Sequence, residues 1–378
     1  MSDKKLKIAL IAGEDSGDLL GAELIRNLLK LNTQIEFVGV GGDKMVTEGL
    51  QLITSNHEFA IMGIAEVLKK LPKLLSLRKK IVKQIIAEKP DLFIGIDAPD
   101  LNFPIEKKLK KQGIKIIHYV SPSIWAWRPK RAIKISQITD LVLTLFPFEP
   151  KYYSKVGGQA QFVGHPLAQS IPLKIDKHAA KINLGLDPNK PVLALLPGSR
   201  SNELKAHTEI FIKTAQKLKT DNPELQIITA NTNSSKRQFV QESANRNNLE
   251  IKIFKDATSV LKAANVTLLA SGTVALEAML CKTPMVVGYK ISPVTHWIVK
   301  TFKMLLLPYY SLPNILYGDF LVPEILQDKM TVENLYQALN DLLHPNKLCN
   351  IEKEFTRLHQ DLLSPDTNAA SAVYEFIE

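Results

Sequence analysis

Short, continuously apolar runs alternate with amphipathic stretches along most of the chain. Leu6–Ala12 is such a run, and a polar turn followed by a helical pattern over Leu19–Leu31 comes after it. Runs that stay apolar are typical of strands buried on both faces of a parallel sheet, with helices as the crossovers. The same order recurs before residue 150, in the runs Glu36–Val40, Asp91–Ile96, Ile114–Val120 and Leu141–Leu145. This pattern predicts an α/β fold of parallel βαβ units with helices on both faces of the sheet.

A second series of the same kind follows a looser segment. Proline and glycine interrupt any regular period between Gly164 and Asp187, which is typical of a domain boundary. Further strand-like runs then follow, at Val192–Leu196, Gln226–Ala230, Ile251–Phe254, Val266–Ala270 and Met285–Tyr289. We therefore expect two facing Rossmann-like domains, residues 1–170 and 171–344. Doubly wound sheets bind ligands at the carboxyl ends of their strands, so we expect the active site on post-strand loops in the cleft between the domains.

Composition narrows the class of protein. A chain of 378 residues with 45% hydrophobic and 23% charged residues is globular and long enough to divide its core. Its two cysteines, Cys281 and Cys349, have no ligand spacing around them, so we expect a reducing compartment and no structural metal. Met1–Lys7 leads directly into a strand, and charge or proline interrupts the longest apolar stretches. Neither a signal peptide nor a membrane-spanning helix is predicted, and a cytoplasmic protein is expected.

The balance of 48 Lys and Arg against 38 Asp and Glu gives a net charge of +10. Three interpretations remain open: an ordinary solvated surface, a nucleic-acid interface, or attraction to anionic lipid.

Two loops of the first half carry acidic side chains. In GEDSGD, Gly13–Asp18, the helix N-terminus suits an anion, but three acids would repel a diphosphate and favour a hydroxyl-rich partner. Ser16 has the alternative role of a helix cap. In GIDAPDLN, Gly95–Asn102, Asp97 ends a strand and Asp100 follows it. That position favours a general base for Asp97 and a helix cap for Asp100.

Loops of the second half suit a phosphate. In PGSR, Pro197–Arg200, the Ser199 hydroxyl and the planar Arg200 guanidinium can bind phosphate oxygens. Ser271, Gly272 and Thr273 begin a helix directly after a strand, where either phosphate binding or simple capping is expected. Glu277 is an acid among apolar residues, which favours a functional role such as binding ribose hydroxyls. Asn314 in SLPNIL would by itself be assigned only to a loop.

The segment Phe59–Ile86 is basic and amphipathic. Ile64, Leu68, Leu71 and Leu75 follow helical spacing, with lysines on another face, so the segment could lie on an anionic membrane or pack on the sheet. The residue pattern alone favours packing, and Pro72 predicts a break between two helices. The aromatic loop Tyr119–Arg131 could hold a sugar face, a base or an acyl chain near a phosphate, but its composition favours a core plug with a basic rim. His118, His165 and His296 are interpreted as structural histidines.

Ten motifs in order extend over nearly the whole chain: GEDSGD, IMGIAEVL, GIDAPDLN, YVSPSIWAWR, FPFE, VGHPL, LLPGSR, ASGTVALEAML, MVVGYK and SLPNIL. Together they resemble the lipid-A-disaccharide synthase family. The resemblance implies the two-domain glycosyltransferase-B fold, with no required cofactor or metal. It also implies inverting transfer of 2,3-diacylglucosamine from its UDP donor to 2,3-diacylglucosamine 1-phosphate (lipid X), which forms the β(1→6) disaccharide of lipid A and releases UDP.

The resemblance also implies roles for single residues. Asp97 would be the base, with Glu14 near the reacting sugars and Asp100 behind Asp97. The UDP-sugar would contact Ser199, Arg200, Ser271, Gly272, Thr273, Glu277 and Asn314. Acyl chains and the anionic inner membrane would contact Met62, Ile64, Val67, Leu68, Leu71 and Leu75, giving a cytoplasmic protein bound peripherally to that membrane.

The fold that the resemblance implies also bears on assembly and on rival functions. The C-terminal helix, 345–378, is expected to return to the first domain or to exchange within a homodimer. A soluble-acceptor UDP-sugar enzyme of the same fold would share the phosphate loops but have no use for the basic amphipathic segment. A nucleic-acid-binding protein would use the positive charge, but no motif of that class occurs, and nucleic acid is not an expected partner.

Overall fold

Thirteen β-strands and eighteen α-helices alternate along the residues that the computed structural model describes, which are 5–60, 64–127, 130–290, 308–363 and 368–378. The chain divides into two compact units, Met1–Pro166 together with Leu362–Glu378, and Leu167–Asp361. The sequence groups residues 345–378 with the first domain. In the structure most of the helix Pro345–Leu362 belongs to the second unit, and Ala369–Ile377 belongs to the first.

The first unit contains seven strands, and its elements in chain order are β1 (Leu6–Ala12), α1 (Asp15–Leu31), β2 (Ile35–Gly41), α2 (Asp43–Thr47), β3 (Leu50–Ser55), α3 (His57–Ala60), α4 (Ile64–Glu88), β4 (Leu92–Ile96), α5 (Pro99–Lys110), β5 (Lys115–Tyr119), α6 (Ile124–Trp127), α7 (Arg131–Ile138), β6 (Leu141–Thr144), α8 (Pro150–Ser154) and β7 (Ala160–Phe162). The second unit contains six strands. Its elements in chain order are α9 (Pro166–Ser170), in which the unit begins, α10 (Lys177–Asn183), β8 (Val192–Leu196), α11 (Ser201–Asp221), β9 (Gln226–Ala230), α12 (Ser234–Arg246), β10 (Lys252–Phe254), α13 (Ala257–Ala263), β11 (Val266–Leu269), α14 (Thr273–Leu280), β12 (Met285–Tyr289), α15 (Leu312–Tyr317), β13 (Glu324–Leu326), α16 (Val332–Leu342) and α17 (Pro345–Leu362). The last helix, α18 (Ala369–Ile377), belongs to the first unit.

Both sheets are parallel in every strand pair that the structure describes. The first has the order β3-β2-β1-β4-β5-β6-β7 and the second the order β10-β9-β8-β11-β12-β13. Each order reverses direction once, between β1 and β4 and between β8 and β11, as in Rossmann-like folds. The predicted α/β class and the two Rossmann-like domains are therefore confirmed.

Three strands have no counterpart in the sequence prediction: β3, β7 and β13. Each is an outermost strand of its sheet. None of the three is buried along its whole length, and β7 and β13 have only three residues each. Edge strands lack the continuous apolar run that identifies the central strands, because one side of an edge strand faces no neighbour.

Helices cover both faces of the first sheet. Ile8 and Leu10 point to one face, where they pack with α1 and α18, while Ala9 and Ile11 pack on the other with α4 and α5. Burial on both faces explains why the strand is apolar at every position.

Helix α4 packs on the sheet through its C-terminal half, which was one of the two alternatives for the basic amphipathic segment. Its C-terminal half buries Ile81, Val82 and Ile85 against the sheet, which is the packing interpretation of the amphipathic pattern. The predicted break at Pro72 is wrong, because α4 is one helix from Ile64 to Glu88. A proline removes one backbone hydrogen bond, which a long helix anchored by packing can tolerate. Within the ranges that the structure describes, no helix is both long and apolar enough to cross a membrane.

Candidate functional site

The loops after β1 and β4 form the wall of one cavity in the first unit. The cavity has a volume of about 640 Å³, and its polar lining residues include Glu14, Asp15, Ser16, Arg78, Asp97 and Asp100. The structure therefore brings together Glu14, Asp97 and Asp100, which come from two separate motifs and which the family resemblance assigned to one site. Parallel pairing is the reason, since β1 and β4 are neighbours and end at the same edge.

Asp97 lies in a strained turn between β4 and α5. Its φ is 50° and that of Ala98 is 40°, a left-handed conformation that costs about 1–3 kcal/mol for a residue other than glycine. The Asp97 amide donates to the Tyr119 carbonyl at 2.8 Å, and the Asn102 side chain donates to the Asp97 carbonyl at 2.8 Å. These bonds hold the half-buried Asp97 at the cavity wall.

None of Asp97, Asp100 and Ser16 occupies the N-cap position of the helix beside it. The N-cap of α5 is Ala98, so neither Asp97 nor Asp100 has that position. The N-cap of α1 is Glu14 rather than Ser16. The exposed carboxylate of Glu14 therefore lies at the positive end of α1, facing solvent in the same cavity.

Asp18, the last residue of GEDSGD, has a structural role. Its buried carboxylate accepts hydrogen bonds from the backbone amides of Gly42 at 2.7 Å and of Lys44 and Met45 at 3.2 Å each. These bonds satisfy the first amides of α2, which have no partner inside the helix. Only the first part of the motif therefore reaches the cavity.

Arg78 is a cavity residue that the sequence analysis missed. Its Nη2 donates to the Asp100 carbonyl at 2.7 Å, which ties α4 to the first turn of α5. Partial burial lowers the pKa of the Arg78 guanidinium, and nearby Asp100 acts against this effect. The signal in the sequence was present but weak, because Arg78 is one of several basic residues in a lysine-rich helix.

The PGSR loop of the second unit is organised around a carboxylate. Glu203 accepts hydrogen bonds from the amides of Ser199 at 3.0 Å and Arg200 at 3.1 Å, and its other oxygen pairs with Arg200 Nη1 at 3.1 Å. Gly198 has a φ of +117°, and a side chain there would begin 2.5 Å from the Glu203 Cβ. The loop donors thus converge on one anion, while the Arg200 side chain is 84% exposed.

Two more basic side chains hold this loop, and the sequence analysis missed both. His207 is fully buried; its Nδ1 bonds the Pro197 carbonyl at 2.9 Å, and its Nε2 accepts the Lys290 amide at 3.0 Å. The imidazole therefore joins the backbone at the start of the PGSR loop to the backbone at Lys290. Lys236 at the start of α12 donates to the Ser199 carbonyl at 2.6 Å.

The start of α14 lies beside that loop, because β11 pairs with β8. Gly272 is the N-cap and has no side-chain cap, so the capping alternative for Ser271 and Thr273 does not apply. Gly272 and Thr273 are exposed, which leaves the first amides of the helix accessible to a ligand. The half-buried Glu277 accepts a hydrogen bond from the Thr258 hydroxyl.

The Asn314 side chain bonds its own loop. Its side chain is fully buried and makes four hydrogen bonds, donating to the Val322 carbonyl and to Glu324 and accepting from the amides of Leu321 and Val322. The amide group therefore has no capacity left for a ligand. Asn314 shapes the SLPN turn, which Glu324 also anchors through Ser311.

The proposed acyl and membrane residues lie mostly beyond what the structure describes. Met62 is outside the described residues, and for Ile64, Val67, Leu68 and Leu71 only the backbone of α4 is described. Leu75 is 47% exposed, and Lys79, Lys80 and Lys83 of the same helix are exposed.

Three motifs without an assigned role meet in an aromatic cluster at the end of the first sheet. Trp125, Phe146, Phe148 and His165 come from YVSPSIWAWR, FPFE and VGHPL, and their rings are 5.4–6.4 Å apart. Glu149 lies at the centre, with 2% of its surface exposed, and accepts the Trp125 indole at 3.2 Å and the Phe146 amide at 3.0 Å. The interpretation of this loop as a core plug agrees with that burial.

Burial shifts the pKa values of the two titratable groups of the cluster, Glu149 and His165, in opposite directions. Desolvation raises the pKa of Glu149 to about 7, although hydrogen bonds from Phe146, Trp125 and Ser121 oppose the shift. Desolvation also lowers the pKa of His165 to about 4. In both cases the neutral form is favoured.

Comparisons with a family model and with curated proteins identify the same family. The model of a family described as lipid-A-disaccharide synthetase matches residues 8–375. Among curated proteins, the lipid-A-disaccharide synthase of Xanthomonas campestris is 46% identical over 377 residues, covering 98% of this chain and 86% of that protein. The enzyme of that name from Pseudomonas fluorescens is 46% identical over 374 residues, covering 98% of each chain.

Comparison with solved structures shows the fold. UDP-GlcNAc 2-epimerase from Neisseria meningitidis, bound to UDP-GlcNAc, superposes with a TM-score of 0.63 at 12% identity over 98% of this chain and 99% of its own. MurG from Acinetobacter baumannii superposes with a TM-score of 0.59 at 14% identity over 98% and 99%. The glycosyltransferase-B class of fold expected from the sequence is thereby confirmed.

The first prediction concerns Glu149 and pH. The pKa of Glu149 in the folded state, about 7, lies above the ordinary value of 4.5, so its neutral form adds stability that is complete below pH 4.5 and lost as pH rises through 7. His165 acts in the opposite direction, since its stabilising effect is lost as pH falls from 6.5 to about 4. Comparing wild type with Glu149→Gln cancels the contribution of His165.

We expect the difference in free energy of unfolding between wild type and Glu149→Gln to change by about 2–3 kcal/mol between pH 5 and pH 8.5, with wild type losing stability relative to the variant. Urea unfolding across that range measures the difference. Glu58→Gln, which makes the same change at an exposed position, is the matched control. A Glu149→Gln difference that stays constant over the range would contradict the assignment.

Proposed function

The chain belongs to the lipid-A-disaccharide synthetase family and is a glycosyltransferase of lipid A biosynthesis, and we propose that it joins UDP-2,3-diacylglucosamine to lipid X. The observation that carries this proposal is the shared cavity of Glu14 and Asp97 at the edge of the first sheet, in a chain 46% identical to curated synthases over 98% of its length. Structures that bind UDP or UDP-GlcNAc on the same fold support a UDP-sugar donor.

Asp97 is proposed as the general base. Its carboxylate accepts the proton of the 6-hydroxyl of lipid X as that oxygen forms a bond to the anomeric carbon of the donor. The bond from that carbon to the diphosphate breaks at the same time, and UDP leaves with the electron pair. Attack from the side opposite the leaving group inverts the anomeric centre and gives the β(1→6) linkage. Glu14 is proposed to bind sugar hydroxyls, with Asp100 behind Asp97.

The second unit is proposed to bind and stabilise UDP. Negative charge increases on the diphosphate as the bond breaks, so fixed donors nearby lower the barrier. Ser199, Arg200 and the start of α14 at Ser271, Gly272 and Thr273 supply such donors. The backbone amides of Ser199 and Arg200 are already bonded to the Glu203 carboxylate, so the Ser199 hydroxyl and the exposed Arg200 guanidinium are the groups proposed to bind the diphosphate. Glu277 is proposed to bind ribose, and Asn314 to shape the donor loop without contacting the ligand.

The direct test is product formation. Purified protein receives UDP-2,3-diacylglucosamine and lipid X in mixed micelles, and mass spectrometry follows the tetraacyl disaccharide 1-phosphate and UDP. We expect both products in equal amounts. Folded protein that binds UDP but forms no disaccharide, or that only epimerises the donor, would overturn the proposed reaction.

Asp97→Asn should lower kcat by about 10²- to 10⁴-fold, because the variant cannot accept the acceptor proton. The Kd for UDP, measured by calorimetry, should stay within about twofold of wild type, since Asp97 lies in the first unit. The exposed Asp43→Asn in the same unit is the control and should keep normal turnover. A near-normal rate for Asp97→Asn would exclude Asp97 as the base.

Arg200→Ala should raise the Kd for UDP by about tenfold or more and lower kcat as well, because a charge-assisted bond to the diphosphate is lost. Arg200→Lys should restore only part of the affinity, since lysine lacks the planar fork. Arg246→Ala removes an exposed arginine from the same unit and serves as the control. Unchanged UDP affinity in Arg200→Ala would show that the PGSR loop does not bind the donor.

Peripheral binding to anionic inner-membrane lipid is proposed for the N-terminal half of α4, where Leu75 is exposed beside lysines. Leu75→Asp should weaken binding to phosphatidylglycerol vesicles by about tenfold, from lost apolar burial and added charge repulsion. Leu52→Asp is a matched control, because both leucines are 47% exposed in wild type. Equal vesicle binding by the two variants would assign α4 to packing alone.

A further inference from the structure

Three fully buried polar side chains lie directly beneath the Asp97 turn: Asn102, Glu106 and His118. Asn102 and Glu106 are four residues apart on α5, so they share one face of the helix. His118 lies on β5, the strand next to β4. Burying an amide, a carboxylate and an imidazole in a hydrophobic core is expensive unless each has partners. The proposed function uses none of the three as a ligand contact.

Asn102 bonds the backbone of the turn itself. Its Nδ2 donates to the Asp97 carbonyl at 2.8 Å and to the Ile96 carbonyl at 3.2 Å. Those two carbonyls flank the position where the chain turns into the left-handed conformation of Asp97 and Ala98. Asn102 thereby satisfies backbone carbonyls at the point where the regular pairing of the strand ends.

Glu106 and His118 fix the helix that carries Asn102. The Glu106 Oε1 and His118 Nδ1 atoms are 2.7 Å apart, which joins α5 to β5 in the core. The ring of Phe103 packs on His118, with centroids 4.6 Å apart. The Glu106–His118 bond lies one helical turn from Asn102 and fixes the position of α5. Because the bond is buried, water does not compete for it.

Gly95 of β4 makes room for this arrangement. A side chain at Gly95 would begin 2.2 Å from Glu106 Oε1 and 3.1 Å from both Cβ and Cγ of Asn102. Any larger residue would displace both polar groups. The glycine in the strand, which the sequence alone shows only as a gap in an apolar run, therefore indicates a close approach of α5.

The cluster lowers the stability of the folded state. Asn102 Oδ1, Glu106 Oε2 and His118 Nε2 are buried without a hydrogen-bond partner among the residues that the structure describes. Such atoms destabilise a fold by about 1–3 kcal/mol each, so an apolar core of the same shape would be more stable. Stability therefore does not explain the cluster, whereas its bond to the backbone of Asp97 gives it a use in the reaction.

We propose that Asn102 is the positioning residue of the general base, and that the Glu106–His118 pair holds Asn102 in place. Asn102 stabilises the left-handed turn that presents the Asp97 carboxylate to the acceptor hydroxyl, and it does not touch substrate. The inference rests on the proposed role of Asp97, but its effect on the turn is independent of any reaction.

The test combines Asn102→Ala with Asp97→Asn. Displacing a base by about 1 Å costs about 10²-fold in rate, so Asn102→Ala should lower kcat by about that factor and leave the Kd for UDP unchanged. In the Asp97→Asn background the same substitution should have almost no further effect on kcat, because there is no base left to position. Equal losses in both backgrounds would show general damage to the fold and overturn the proposal.

Two more variants separate positioning from folding. Glu106→Gln keeps the shape of the side chain and should lower kcat by about tenfold, again only when Asp97 is present. Asn56→Ala removes another buried asparagine of the first unit, and it should lower stability without changing kcat. A loss of kcat in Asn56→Ala equal to that in Asn102→Ala would contradict a specific role.

Hydrogen exchange provides a readout that needs no activity. The Asp97 amide bonds the Tyr119 carbonyl, and Asn102→Ala should speed its exchange by about tenfold while amides in β1 keep their protection. Unchanged protection at Asp97 would overturn the inference. If the wild-type protein formed no disaccharide but Asn102→Ala still released the turn, the proposed reaction and the role of Asp97 as its base would fail, while the stabilisation of the turn by Asn102 would stand.

Discussion

Parallel pairing of the strands is the constraint on which the rest of the structure depends. In a parallel sheet all strands end at the same edge, so loops that are far apart in sequence become neighbours. In the first sheet this brings Glu14, after β1, beside Asp97, after β4. In the second it brings Arg200, after β8, beside Gly272, after β11. Both pairs lie where the strand order reverses, which is where helices leave the sheet toward opposite faces and make room for a ligand.

The Asp97 turn shows how tertiary contacts stabilise a local conformation that the sequence by itself disfavours. Neither aspartate nor alanine prefers a positive φ, and two in succession are costly. The bonds to Tyr119 and Asn102 come from β5 and α5, elements that pack against β4 only in the folded chain. The surrounding structure leaves the turn no alternative conformation and so fixes the direction of the Asp97 side chain.

The PGSR loop follows a different principle, since electrostatics rather than strain organises it. Two backbone amides and a guanidinium would repel one another if they converged without a counter-charge. Glu203 supplies that charge from the first turn of α11. His207 completes the arrangement from the core by bonding the Pro197 carbonyl. The loop therefore has a fixed geometry before any ligand arrives, which would limit the reorganisation that binding of a ligand requires.

The residue pattern alone predicted the α/β class, ten of the thirteen strands that the structure describes, and the positions of the loops that follow those strands. It could do so because buried strands are apolar at every position, and because glycine and polar residues mark the turns after them. Edge strands such as β13 and the unbroken course of α4 through position 72 escaped it, since neighbours and packing decide both. The hydrogen bonds by which Asp18 caps α2, Asn314 bonds its own loop and Asn102 bonds the Asp97 turn became evident only in the tertiary structure. Such roles depend on which hydrogen-bond partner a polar group contacts in the folded chain, and the spacing of residues along the sequence does not specify that partner.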